Sequence, residues 1–223
     1  KIYAITSMEK KKILKILNKN HNIDVLHNIS QFEPLLKKVK FQDRKSLIYI
    51  GNIEYTKGVD KLIDLAKNLL KLKIDLIINI YGDERSSTNY TDSLKKKIKK
   101  YSLKNILFKG YLHEPNKILN NSLLLLRPSR NNDPWGRDII EAISCGIPVI
   151  ASGDKSDFIK DQFNGYLVKD FDINKTSEII LKIYNNEILW NKLSENSIKN
   201  VKSKINGNLQ KKEYSNLIEQ LSS

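Results

Sequence analysis

Residues 123–151 restrict the fold more than any other part of the chain. Leu123 to Leu126 is an apolar run of strand length, followed by the loop Arg127-Pro-Ser-Arg130-Asn-Asn-Asp133-Pro-Trp135-Gly136. A helix is expected from about Gly136, carrying Arg137 and Glu141, and a second apolar run follows from Pro148 to Ala151. A strand, a helix and a strand joined by short links pair the two strands in parallel, with the helix crossing one face of the sheet. Ligands of such sheets bind outside the carboxyl ends of the strands.

The remaining chain repeats the pattern. Strands are expected at 2–6, 23–26, 47–50, 74–81, 106–108 and 166–168, and Ser7 reads as the N-cap of a helix over 8–19. Helical spacing of apolar residues marks 59–72, a basic helix occupies 92–101, and a short helix spans 116–121. Three more helices are expected at 174–185, 187–200 and 207–221, and residues 30–45 read as a linker. Alternating strands and helices imply an α/β fold, a Rossmann-like parallel sheet with helices on both faces.

Four expected strand ends carry glycine: Gly51, Gly82, Gly110 and Gly136. The first turn, Gly51-Asn52 to Lys57-Gly58, puts a cation just ahead of a helix, where a phosphate would sit; on these residues alone an ordinary helix start, with Lys57 one lysine among many, is the better reading. Neither the dinucleotide fingerprint nor the P-loop pattern follows any strand. The second turn, at Gly82, reads as a polar loop. The third, Gly110-Tyr111-Leu112-His113, can hold a nucleobase between main chain and ring, with His113 a surface residue. The fourth is the strongest. Asp133 and Glu141 stand eight positions apart, one in a loop and one among Ile139, Ile140, Ala142 and Ile143. Free amides at a helix start favour a diphosphate, and a carboxylate set among apolar residues suits a ribose diol.

Composition sets bounds. The 223 residues carry 39 Lys plus Arg against 25 Asp plus Glu, a net charge of +14. Five of the 39 are Arg, leaving 34 Lys, and there are 24 Asn. A reader of nucleic acid leans on arginine forks, so no nucleic-acid partner is expected. The excess reads first as a solvated lysine surface. It also suits an anionic membrane surface, at about 1 kcal/mol per well-placed lysine. Cys145 is the single cysteine, and no metal-ligand spacing occurs. No signal peptide or membrane-spanning run is evident. A cytoplasmic setting, peripheral on the membrane at most, is the expectation. The chain begins at Lys1 with Met8 its single methionine, so residues ahead of Lys1 are expected.

Pro128-Ser129 … Asp133-Pro-Trp-Gly-Arg-Asp-Ile-Ile-Glu141-Ala … Gly146-Ile-Pro-Val-Ile-Ala151 resembles the retaining GT-B glycosyltransferases of family 4, also called group 1. Their E-x7-E hallmark reads here as Asp133-x7-Glu141. Gly51 to Gly58 resembles their G-R-x5-K-G phosphate turn, with Asn52 in place of arginine. Tyr81-Gly82-Asp83 resembles their next strand end, and Asn164-Gly165-Tyr-Leu-Val their N-G-x-L-V segment.

The resemblance covers roughly 46–221 and implies the donor-binding, carboxyl-terminal half of a GT-B fold. It makes 1–29 the tail of an amino-terminal acceptor domain, 30–45 a linker, 46–205 the nucleotide-sugar domain and 206–223 a terminal helix. It implies that Glu141 holds the ribose of a UDP- or GDP-sugar. Asp133, Trp135, Gly136 and Arg137 would hold the sugar, and Lys57 the diphosphate, with Gly51, Asn52, Gly82 and Tyr111 around it. Arg130 or Arg137 would replace the charge missing at Asn52. The reaction implied is retaining transfer to a glycan or lipid-linked acceptor, with Lys57 and Asp133 catalytic and no cofactor or metal. A sugar-nucleotide-binding module that works with a separate acceptor domain or chain is the alternative. Sugar-nucleotide epimerases of the same fold would need catalytic acids not found here.

Overall fold

A computed structural model describes residues 2–4, 6–17, 21–25, 40–84, 88–132 and 134–204, with the isolated residues 215 and 219. Asp133, Arg85, residues 30–39 of the expected linker and the expected helix over 207–221 lie outside the described residues, except for those two isolated positions.

Strands β1 (Ile2–Ala4) and β2 (Ile23–Val25) pair in parallel as a separate two-stranded sheet, with α1 (Ser7–Ile16) between them. The cap of α1 is Thr6, not Ser7: its hydroxyl accepts from the N–H of Glu9 at 3.0 Å. Thr6 with Glu9 three residues on is the capping-box spacing, which a reading from Ser7 misses by one position.

The main sheet has six parallel strands in the order β5-β4-β3-β6-β7-β8. These are β3 (Ser46–Ile50), β4 (Ile77–Tyr81), β5 (Ile106–Gly110), β6 (Leu124–Arg127), β7 (Val149–Ser152) and β8 (Gly165–Val168). Helices α2 (Val59–Lys71), α3 (Thr88–Lys100) and α6 (Ile173–Tyr184) pack together. Helices α4 (Pro115–Leu119), α5 (Arg137–Ser144) and α7 (Glu187–Lys204) form a second group, so both faces are covered as expected. Coverage on both sides explains why β6 and β7 are apolar at nearly every position rather than alternating.

The chain runs outward from β3 to β5, then returns to place β6 against β3, pairing Leu47 with Leu124 and Ile48 with Leu125. That reversal makes the β3/β6 boundary the switch point of the sheet, where such folds open a crevice. The core on either side is dry: α2 buries Val59, Leu62, Ile63, Leu65, Ala66 and Leu69. At about 1.5–3 kcal/mol for each large side chain, packing rather than capping holds α2, since its cap is Gly58, which offers no side chain.

Two expectations are corrected. Strand β4 begins at Ile77 rather than residue 74, because α2 ends in a reversed turn. Lys73 sits at φ 55°, and the N–H of Ile74 reaches back to the carbonyl of Leu69 at 3.0 Å, which takes Ile74 out of the strand. The end of the expected linker is built into the body. Phe41–Asp43 forms a short 3-10 turn, and buried Arg44 donates to the carbonyls of Asn120 and Ser122, both at 2.8 Å, while lying 4.2 Å from the Trp190 ring centre. Among the described residues no helix is long and apolar enough to cross a membrane.

Candidate functional site

The first and fourth glycine turns meet at the switch point, where β3 pairs with β6 and the N–H of Arg130 donates to the carbonyl of Thr56 at 3.0 Å. The turn after β3 is shaped by its own side chains. The Tyr49 hydroxyl donates to the carbonyl of Asn52 at 2.6 Å, and the Asn52 amide donates to Glu54 at 3.1 Å. Tyr55–Lys57 closes as a 3-10 turn that ends on Gly58 at φ 69°. A Cβ on Gly58 would lie 2.1 Å from the carbonyl oxygen of Pro128, so glycine lets this turn press against the chain leaving β6. The ammonium of Lys57 has no hydrogen bond or ion pair among the described residues.

The second and third turns complete the rim of these strands. Gly51 donates to the carbonyl of Tyr81 at 3.0 Å, and Gly82 to that of Gly110 at 2.9 Å. A Cβ on Gly82 would come within 2.1 Å of the Gly51 carbonyl oxygen, so close strand ends demand glycine there. Tyr111 is exposed and packs edge-on against His113, ring centres 4.9 Å apart.

Beyond β6 the loop is tied at several points around Asp133. Asn132, at φ 46°, donates to the Asp170 carboxylate at 2.7 Å and accepts from the Ser152 hydroxyl at 2.9 Å and the Asp170 N–H at 2.8 Å. The carbonyl of Pro134 accepts from the Ser156 hydroxyl at 3.0 Å. The residues on both sides of Asp133 are therefore fixed by separate elements. Trp135 is half-buried, and its indole Nε1 is enclosed without a partner among the described residues.

Helix α5 starts at this loop. Among the described residues the N–H groups of Gly136, Arg137 and Asp138 make no hydrogen bond, leaving three donors at the positive end of the helix. Beneath them Arg127, the last residue of β6, donates to both carboxylate oxygens of Asp138. Sequence reasoning missed this pair; an arginine closing an all-leucine strand, with an aspartate in the next helix's first turn, was the available signal.

Glu141 is 7% exposed, and its one ion-pair partner among the described residues is Arg137 at 3.2 Å, whose side chain is 78% exposed. Burial pushes the Glu141 carboxyl up to about 7 against the opposing pull of Arg137. A carboxylate has about four acceptor positions, so this one retains spare capacity in a dry setting, as a diol-binding group requires. Arg130, expected at a phosphate, is instead occupied by Asp60, at 2.8 and 2.5 Å, and Arg137 faces solvent and Glu141. Among the described residues no cluster of metal-ligating side chains occurs.

A Rossmann-like sheet with a cationic turn and a buried acid on opposite sides of its switch point places its candidate site in the crevice at the carboxyl ends of β3 and β6. The model of the glycosyl transferases group 1 matches residues 31–203, and the chain belongs to that family. It is 31% identical over 194 residues to the poly(ribitol-phosphate) α-N-acetylglucosaminyltransferase of Staphylococcus aureus (strain COL), covering 85% of this chain and 38% of that protein. A S. aureus TarM mutant solved with fondaparinux, α-GlcNAc-glycerol and UDP superposes with a TM-score of 0.82 at 26% identity, over 96% of this chain and 43% of that one. The fold also matches the carboxyl-terminal domain of a group 1 glycosyl transferase from Francisella tularensis, with a TM-score of 0.65 at 23% identity, over 78% of this chain and 95% of that one. The chain thus spans about two-fifths of the length of the two S. aureus proteins.

Proposed function

We propose that this chain is the carboxyl-terminal, donor-binding half of a family 4 retaining glycosyltransferase. It takes a UDP- or GDP-sugar and serves transfer to a glycan or lipid-linked acceptor. The observation that carries the reading is Glu141: a carboxylate 7% exposed and, among the described residues, incompletely partnered, one helical turn inside three amides without a described partner. Such a group binds two vicinal hydroxyls while the amides take the diphosphate. The UDP bound by the TarM mutant supports a UDP-sugar before a GDP-sugar.

In this reading the acceptor hydroxyl attacks on the face from which the diphosphate departs, and the departing phosphate oxygen takes the hydroxyl proton. Lys57 and the α5 amides stabilise charge growing on that oxygen, which is the main catalytic task. Asp133 and Trp135 are assigned to the donor sugar, and no metal or cofactor takes part. Calorimetric titration tests the reading: UDP binds saturably to the chain, and Glu141→Ala removes that binding while circular dichroism stays unchanged. Equal affinity in the variant rules the assignment out.

The separate β1–β2 sheet supports 1–29 as the end of an acceptor domain, with 46–205 the nucleotide domain. The alternative is a sugar-nucleotide-binding module that transfers sugar once joined to an acceptor domain or chain. Transfer assays with and without that domain separate the two. Lysines 95, 96, 97, 99, 100, 104 and 109 are all exposed along α3 and β5, where they support a cytoplasmic membrane face. Sedimentation with anionic but not neutral vesicles is the expected result.

A further inference from the structure

We infer that Arg130 and Asp60 are positioning residues that hold Lys57 in place, and that Arg130 is not itself a diphosphate ligand; this rests on the function proposed above. The geometry is specific to the backbone on either side of Lys57. The main-chain N–H of Arg130 donates to the carbonyl of Thr56 at 3.0 Å, and its Nη1 donates to the carbonyl of Tyr55 at 2.5 Å. Its guanidinium carbon lies over the Tyr55 ring, 3.7 Å from the ring centre. On the far side of Lys57, Gly58 rests on the carbonyl of Pro128. The three residues flanking Lys57 are thus pinned by the segment 128–130, whereas its ammonium has no partner among the described residues.

Asp60 fixes the guanidinium in that role. Arg130 Nη1 and Nη2 donate to Asp60 Oδ1 and Oδ2 at 2.8 and 2.5 Å, a two-point fork that sets the plane of the group. Tyr90 of α3 donates its hydroxyl to Asp60 Oδ1 at 2.6 Å and accepts from the Asp60 N–H at 3.1 Å. Burial opposes ionisation of Asp60, but the Arg130 and Tyr90 bonds outweigh it and hold the carboxyl below its ordinary value. An arginine whose charge is countered by a carboxylate and whose Nη1 also donates to the Tyr55 carbonyl is a poor phosphate ligand and a good strut. The strut leaves β6 three residues ahead of Asp133, so one side chain sets the spacing between the cationic turn and the acid loop.

The two roles predict opposite signs for Asp60→Asn. Were Arg130 a diphosphate ligand, weakening its carboxylate partner would free positive charge and tighten UDP. As a strut, it loses its anchor, Lys57 loses its position, and UDP binds about tenfold more weakly while uridine binding stays within about twofold. The same selective loss is expected for Arg130→Lys, which keeps the charge and loses the fork, and in milder form for Tyr90→Phe, a variant that removes one hydroxyl. A double-variant cycle gives the readout that mere destabilisation would not move: Lys57→Ala with Asp60→Asn binds UDP no more weakly than Lys57→Ala alone. Tighter UDP binding in Asp60→Asn, or additive losses in the cycle, overturns the inference while leaving the donor-site reading intact. Absence of UDP binding by the unaltered chain overturns the donor-site reading, and this inference with it.

Discussion

Arg127 Nη1 donates to both carboxylate oxygens of Asp138, at 2.7 and 2.9 Å, with both side chains about nine-tenths buried. The pair locks the end of β6 to the first turn of α5, directly under the free amides. Gly136 makes room for it: a Cβ there would stand 2.1 Å from Asp138 Oδ1 and 2.6 Å from Arg127 Nη1. The backbone of Gly136 is extended, at φ 168°, so space and not conformation demands glycine at this position.

Removing one member of the pair strands the other in a dry site. Asp138→Ala is expected to cost about 3–5 kcal/mol, against under 1 kcal/mol for an exposed pair such as Lys117 with Glu114. Urea unfolding of the two variants measures the contrast; equal losses would show that the buried pair is solvated.

Gly136→Ala tests the amide nest separately. The methyl must displace the Asp138 carboxylate or the Arg127 guanidinium, which shifts the helix start. UDP affinity is expected to fall at least about tenfold, the size of one or two misaligned charge-assisted bonds. Affinity held at the original value, with a folded variant, would remove the nest from the site.

Glu141 predicts a stability trend. Its carboxyl titrates near 7 in the folded chain against 4.5 for the ordinary group, so the folded state binds the proton more tightly. That contribution is complete below pH 4.5 and is lost as pH rises through 7. Glu141→Gln should therefore raise the unfolding free energy at pH 8 by an amount on the order of 2 kcal/mol, read as a higher Tm, with Arg137 and solvent screening included, and leave it unchanged at pH 4. A stabilisation equal at both pH values would show that the carboxyl is not perturbed.

The same group predicts the pH dependence of binding. In the proposed role the ionised carboxylate accepts both ribose hydroxyls, so UDP-glucose should bind more tightly as pH rises through about 7. UDP-glucose is the right probe because its diphosphate does not titrate there. In Glu141→Gln the profile should be flat as well as weak; a slope that survives the substitution points to another group.

Lys57→Ala should weaken UDP by about 1.5–3 kcal/mol and uridine hardly at all, since an ammonium acts on the phosphates and not the base. Titration of both ligands decides it, equal losses counting against a diphosphate role.

The fold was legible because parallel α/β order leaves a local trace at every step. Six apolar runs of strand length, each followed by glycine or a polar loop, were readable one at a time, and Glu141 was visible as an acid among isoleucines. Strand ends blurred where side chains gave no warning: Lys73 adopts the left-handed region without being glycine, and β4 starts three residues late. Arg44, a polar residue in an expected linker, reads as solvated until Asn120, Ser122 and Trp190 surround it.

By itself the sequence determined the alternation of strands and helices, the glycine-ended turns and the candidate acid, because each depends on neighbours within about a dozen residues. Tertiary structure decided which turns share a crevice. Strand order is a long-range choice, and the return of β6 to β3 brings Lys57 to the loop before α5. It also decided what each charge does. Arg127, Arg130 and Arg137 look alike in the chain, yet one is buried on Asp138, one is braced on Asp60 and one reaches from solvent to Glu141, since a cation's role follows from the carboxylate that folding sets beside it.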